Sequence, residues 1–132
     1  KGRDIEADIA NGFSRHFSLA FQVRDDLADL ENDASIRKPG GNDLVQGNPT
    51  WPFLIWAQKN GDYQYAWDRL AAAKGNPEKA QRLQDDIINT DTARDVRNKI
   101  TDELEQAKGY LFKAPAGPAQ DFILGIVEKL QP

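Results

Sequence analysis

The sequence predicts an all-α protein, and three observations carry that expectation. Apolar residues recur at three- and four-residue intervals over most of the 132 positions. No segment alternates apolar and polar residues with β-branched enrichment, so no strand is assigned. Gly, Pro, Asn and Asp fall at the joints between periodic stretches, where helices start and stop.

The first helix is expected from about Asp4 to Asn32. Its apolar positions Ile5, Ile9, Phe13, Phe17, Ala20, Phe21, Leu27 and Leu30 form one face, within which Gly12 is tolerated and Ser18 and Ala20 are small. From Asp33 to Pro52 a continuous helix is excluded by three prolines, three glycines and four Asn or Asp residues. A loop of this length in a compact domain is usually functional. A short helix follows over Trp51–Gln58, with Pro52 in its first turn, an apolar run expected to be buried nearly all round, and Gly61 as its stop. Asp62–Lys74 reads as the next helix and is closed by Gly75. Asn76-Pro77-Glu78 opens another to about Ile88, since Asn caps and Pro suits the first turn. Thr90 or Asp91 caps a long helix to about Phe112. Pro115, Gly117 and Pro118 precede a last helix, Ala119–Leu130, whose Phe122, Ile123, Ile126, Val127 and Leu130 are expected to face inward.

Composition narrows the class. At 39% hydrophobic and 29% charged, the length suits one modest domain, residues 1–132, and is too short for two. There is no cysteine, which excludes a thiol nucleophile, thiolate zinc ligation and a disulfide framework, and fits a reducing, cytoplasmic setting. A net charge of −4 favours neither nucleic acid nor an anionic membrane, and no apolar run approaches the ~20 residues of a membrane span. The chain begins Lys1-Gly2 inside a helical pattern and contains no methionine, as expected of a processed, cleaved or partial polypeptide.

The chemistry concentrates in Asp25-Asp26-Leu27-Ala28-Asp29. In a helix Asp25 and Asp29 stack at i and i+4 while Asp26 and Asp29 pair at i and i+3, so all three can face one point. Like charges gathered this way cost stability unless a cation joins them, and an all-oxygen set suits a hard ion such as Mg²⁺. The loop that follows carries Arg37-Lys38-Pro39-Gly40-Gly41-Asn42-Asp43: glycines that let the backbone approach, and cations suited to phosphate. A metal between acidic side chains and a phosphorylated ligand, with Lys on the remaining charge, is a physical solution to diphosphate binding.

Elsewhere the residues read as structural. His16, the single histidine, lies among aromatics and lacks any triad partner. Asp85-Asp86, with Asn89 where a third Asp would stand, reads as a solvated face. Trp51, Trp56 and Trp67 read as core or interface, and Thr101, Glu103 and Lys108 as an ordinary charged face.

The run from Phe13 to Asp29, with Phe21-Gln22 ahead of Asp25-Asp26-Leu27-Ala28-Asp29, resembles the second aspartate-rich motif (DDxxD) of the trans-isoprenyl diphosphate synthases, or polyprenyl synthetases. Lys38-Pro39-Gly40-Gly41-Asn42-Asp43-Leu44, then Gln46-Gly47-Asn48-Pro49-Thr50-Trp51-Pro52, resembles their downstream segment, with Asn48 where many members carry Lys. The resemblance implies the C-terminal half of an isoprenoid synthase helical bundle. It implies a prenyltransferase that joins isopentenyl diphosphate head-to-tail to an allylic diphosphate with Mg²⁺. Carried over, Asp25 is the direct metal ligand, supported by Asp26 and Asp29. Lys38 contacts the allylic diphosphate and, with Asp25 and Asp26, forms the catalytic set. Gln22 lines the substrate site, and Asp43 orders the loop. The first aspartate-rich motif is expected on an N-terminal half, in the same enzyme or a partner subunit, and a homodimer is the family expectation. A non-catalytic regulatory subunit and a terpene cyclase relative are the alternative readings.

Overall fold

The computed structural model describes residues 2–31 and 43–132, and among them every regular element is a helix. These are α1 (Gly2–Leu30), α2 (Trp51–Asn60), α3 (Tyr63–Ala73), α4 (Pro77–Ile88), α5 (Thr92–Leu111) and α6 (Pro118–Lys129). The all-α expectation is met, and each helix boundary falls within two residues of its expected position. Thr50 accepts from the Phe53 N–H, Asp62 from Tyr65 and Asn76 from Lys79, so three of the helix starts are capped by a side-chain oxygen. Gly61 closes α2 at φ 77°, a left-handed conformation that glycine adopts without a Cβ penalty.

The chain divides into two compact units, Lys1–Arg24 with Arg97–Pro132, and Asp25–Val96. The core of the second is built by Phe53, Trp56, Ala57, Ala66, Leu70, Ala73, Leu83 and Ile87, with α3 packed on α4. Phe53 is fully buried, and its ring meets that of Trp67 edge-on at 5.4 Å. The buried Gln84 amide donates to the Leu30 carbonyl, satisfying one of the acceptors that the end of α1 leaves open.

The first unit is cored by Ala20, Val23, Ile100, Leu104, Ala107, Leu111 and Val127. Gly12 is buried because the Tyr110 ring occupies the space a Cβ would need, so here glycine is required rather than merely tolerated. His16 Nδ1–H donates to Glu103 Oε1 at 2.7 Å and its ring stacks with Tyr110, in keeping with a structural histidine. Glu103 is therefore no ordinary surface charge.

Several apolar residues expected inside lie outside. Phe122 is 72% and Ile126 39% exposed, while Val127 is fully buried. At about 100° per residue the α6 stripe is roughly 140° wide, and the core covers only the Ile123/Val127 edge. Ile5, Phe21, Leu54 and Trp67 are likewise exposed. Among the described residues no helix is long and apolar enough to cross a membrane.

Candidate functional site

The aspartate run lies in the last two turns of α1, where Asp29 is buried and Asp25 and Asp26 are half-buried. Leu27, Ala28 and Leu30 are buried around it, which anchors this end of the helix in its unit. The carboxylates at Asp26 and Asp29 do not simply point to a shared centre. Asp29 Oδ2 accepts the backbone N–H of Asp43 at 2.9 Å, and Asp26 Oδ2 accepts that of Trp51 at 3.0 Å. The chain between these anchors is a series of turns. The Gln46 and Asn48 N–H groups donate to the Asp43 carbonyl, and Gly47 donates to the Leu44 carbonyl at 3.0 Å.

Gly47 takes φ 78° with the stem of Lys74 against it, and the Gly75 N–H donates to the Val45 carbonyl at 2.8 Å. The segment 43–51 is thus held from three sides, by Asp29, by Asp26 and by the turn between α3 and α4. Asp43 adds an internal tie, its Oδ1 accepting from the Asn48 amide at 3.3 Å. Asn48, at the position where many members of the resembled family carry Lys, has become a loop brace.

Trp51 opens α2, and its N–H is one of those that a helix start leaves without an intrahelical partner. Asp26 therefore sits at the positive end of the α2 dipole. Burial nevertheless pushes the Asp26 carboxyl above its usual range. The Trp51 N–H pulls it down, but Asp43, Asp25 and Asp29 all add to the upward push. Four carboxylates share one local field.

Among the described residues no group of three or more His, Asp or Glu side chains is placed to hold a metal ion. This differs from the expectation that Asp25, Asp26 and Asp29 face one point. The spacing on α1 is as expected, but two of the three carboxylates have turned onto loop backbone. The donor chemistry still fits a hard cation held by few protein ligands: oxygens only, crowded by like charge. Mg²⁺ keeps several waters and takes one or two carboxylates together with substrate phosphates.

Gln22 lies on α1 and is exposed. Lys38, expected to contact the allylic diphosphate, lies outside the described residues, as do Arg37 and Pro39-Gly40-Gly41-Asn42. The sequence reading missed the backbone N–H groups of Asp43 and Trp51 as partners of the aspartates. No side-chain pattern could have revealed them, because every non-proline residue carries the same donor.

The family model for polyprenyl synthetase matches residues 2–87, which takes in the aspartate run, the following loop and α2–α4. The chain is 30% identical over 96 residues to an all-trans-nonaprenyl-diphosphate synthase (geranyl-diphosphate specific) of Rhodobacter capsulatus, covering 72% of this chain and 30% of that protein. It is 28% identical over 127 residues to a prenyl transferase of Synechocystis, covering 96% and 38% of the two chains. To the octaprenyl diphosphate synthase of Escherichia coli it is 27% identical over 119 residues, covering 86% and 36%. No solved structure gives a significant match. The chain spans about a third of the length of these relatives. With the family model matched over more than half of its length, the chain belongs to the polyprenyl synthetase family.

Proposed function

We propose that this chain is the C-terminal part of a single isoprenoid synthase domain that lengthens an allylic diphosphate with isopentenyl diphosphate. Its share of the work is to hold the allylic diphosphate. The observation that supports this most directly is the tie between the aspartate run and the segment after the Lys38 loop, through Asp29 to Asp43 N–H and Asp26 to Trp51 N–H. Those two bonds fix where that loop ends relative to the carboxylates. The names of the relatives, which are prenyl transferases and polyprenyl diphosphate synthases, agree with the reading.

The aspartates divide their roles in this proposal. Asp25 makes neither of these two loop bonds and is the carboxylate that would contact Mg²⁺ first; Asp26 and Asp29 would support it directly or through water while they position the loop. Bound Mg²⁺ would offset the charge that grows on the diphosphate as its carbon–oxygen bond breaks. Lys38 places a compact ammonium on the remaining phosphate charge, which is worth most as the leaving group gathers negative charge. Gln22 lines the substrate site, and Asp43 orders the loop. The allylic cation formed on ionisation is quenched by water, so reaction requires a closed cavity. An N-terminal portion carrying the first aspartate-rich motif supplies the rest of its wall.

The test is incorporation of labelled isopentenyl diphosphate into an allylic primer by the full gene product. Asp25→Ala is expected to lower kcat by about 100-fold or more, the scale for losing one charge-stabilising contact in a transition state. Wild-type turnover by Asp25→Ala would overturn the assignment.

A further inference from the structure

A cleft built from other residues lies in the same unit as the aspartate run. The groove between α3 and α4 is an open cleft of about 560 Å³ lined by Tyr65, Arg69 and Ala72 from one helix and Lys79, Arg82, Asp85 and Asp86 from the other. That volume is in the range of small-molecule sites, about 300–1,000 Å³. Three cations meet there in a chain whose formal net charge is −4.

The two carboxylates in the lining already have partners. Asp86 Oδ2 receives an Arg69 N–H at 2.8 Å, and Asp85 Oδ1 accepts the Gln81 amide at 2.9 Å. Arg69 is fixed twice over, since it also donates to the Tyr65 hydroxyl at 2.9 Å and lies over that ring at 5.7 Å. A guanidinium has five N–H donors, so these two bonds leave it others to offer. Among the described residues Arg82 pairs with Glu78 at 2.8 Å, with both side chains mostly exposed, a pair worth little in water and readily exchanged. The Lys79 ammonium makes no ion pair among the described residues. Lys79 and Arg82 stand at i and i+3 on α4, neighbours on one face.

We infer that the α3–α4 cleft binds a small phosphorylated anion, with Lys79 and Arg82 contacting its phosphate oxygens and the braced Arg69 offering a third cation. Cations on two helices can approach one phosphorylated anion from two sides. The site needs no metal, unlike the one proposed around Asp25. The two are therefore separable in one experiment.

Inorganic diphosphate is the probe, titrated calorimetrically into the protein in EDTA at low salt. Saturable binding with Kd near or below about 1 mM is expected, weakened about tenfold or more by Lys79→Gln/Arg82→Gln and unchanged by Asp25→Asn. Both substituted residues are exposed, and circular dichroism of the double variant confirms that it folds. Absence of saturable binding, or equal binding by the double variant, would overturn the inference and leave the Asp25 assignment untouched. Loss of binding in Asp25→Asn would also overturn it, since the probe would then be occupying the aspartate site.

Discussion

Replacing Asp26 with asparagine should make the protein more stable and less active. The side chain keeps its shape and retains an oxygen to accept the Trp51 N–H now bound at 3.0 Å. What it loses is the charge. Burial and the neighbouring Asp43, Asp25 and Asp29 push the Asp26 carboxyl up even after the opposing pull of that N–H, so the neutral form is the better folded one. Like-charge neighbours on a helix cost about 0.2–0.5 kcal/mol each. Losing the charge relieves its burial, the largest cause, and the repulsion of Asp43, Asp25 and Asp29; less part of the difference between a charged and a neutral acceptor, the net gain is about 0.5–1 kcal/mol at pH 7.

The pH dependence follows from the sign of the shift. A carboxyl raised on folding contributes stability below its unfolded pKa, about 3.9, and that contribution is lost as pH rises through the folded value. The advantage of Asp26→Asn should therefore be full at pH 7 and vanish below about pH 3.5, where the wild-type residue is already protonated. Urea denaturation of both proteins across that range measures it. A variant less stable than wild type at pH 7, or an advantage that persists unchanged in acid, would refute the electrostatic reasoning. The same substitution should lower prenyl transfer in the full gene product, because it removes charge from the proposed metal site.

Two further substitutions probe the first unit. Gly12→Ala should destabilise by about 1–3 kcal/mol despite the better helix propensity of alanine, since the new methyl meets the Tyr110 ring; thermal melts showing a gain would mean that the ring is not packed there, and Tyr110→Leu in the same chain should recover part of the loss. Burial pushes the Glu103 carboxyl up, but the hydrogen bond from His16 and the charge of Lys99 outweigh it and hold the group below its usual range. Its stabilisation is therefore present above the unfolded value of about 4.3 and lost as pH falls through the folded one, so Glu103→Gln should cost about 1 kcal/mol at neutral pH and nothing near pH 3, as read from denaturation midpoints.

What was legible in the sequence is what local chemistry decides. Asn76 caps the helix it precedes because an oxygen three residues from an orphan N–H needs no tertiary information. The placement of Asp25, Asp26 and Asp29 on neighbouring turns follows equally from 3.6 residues per turn. Their partners did not follow. Asp29 bonds 14 residues ahead and Asp26 25 residues ahead, to backbone groups that any sequence would carry there. His16 and Glu103 are 87 positions apart, so a lone histidine and an ordinary acidic residue became a part-buried pair only once the chain had folded. The α6 stripe failed differently: periodicity gives the direction of an apolar face but not how much of it a neighbour covers, and Phe122 and Ile126 fell on the uncovered edge.

The aspartate run then poses a question of allocation rather than of identity. Each carboxylate has two oxygens, and Asp26 and Asp29 each commit one to the backbone of the returning loop. A cation held here would have to share the carboxylates with those bonds, or displace the loop. Displacement would uncover the start of α2, where the Trp51 N–H has no intrahelical acceptor, at a cost of about 1–3 kcal/mol if it stayed buried. Sharing avoids that cost and leaves water and phosphate oxygens to complete an octahedral shell, which is how Mg²⁺ ordinarily binds. On this argument the backbone contacts of Asp26 and Asp29 are compatible with metal binding. In the proposed site they would set the geometry around Asp25.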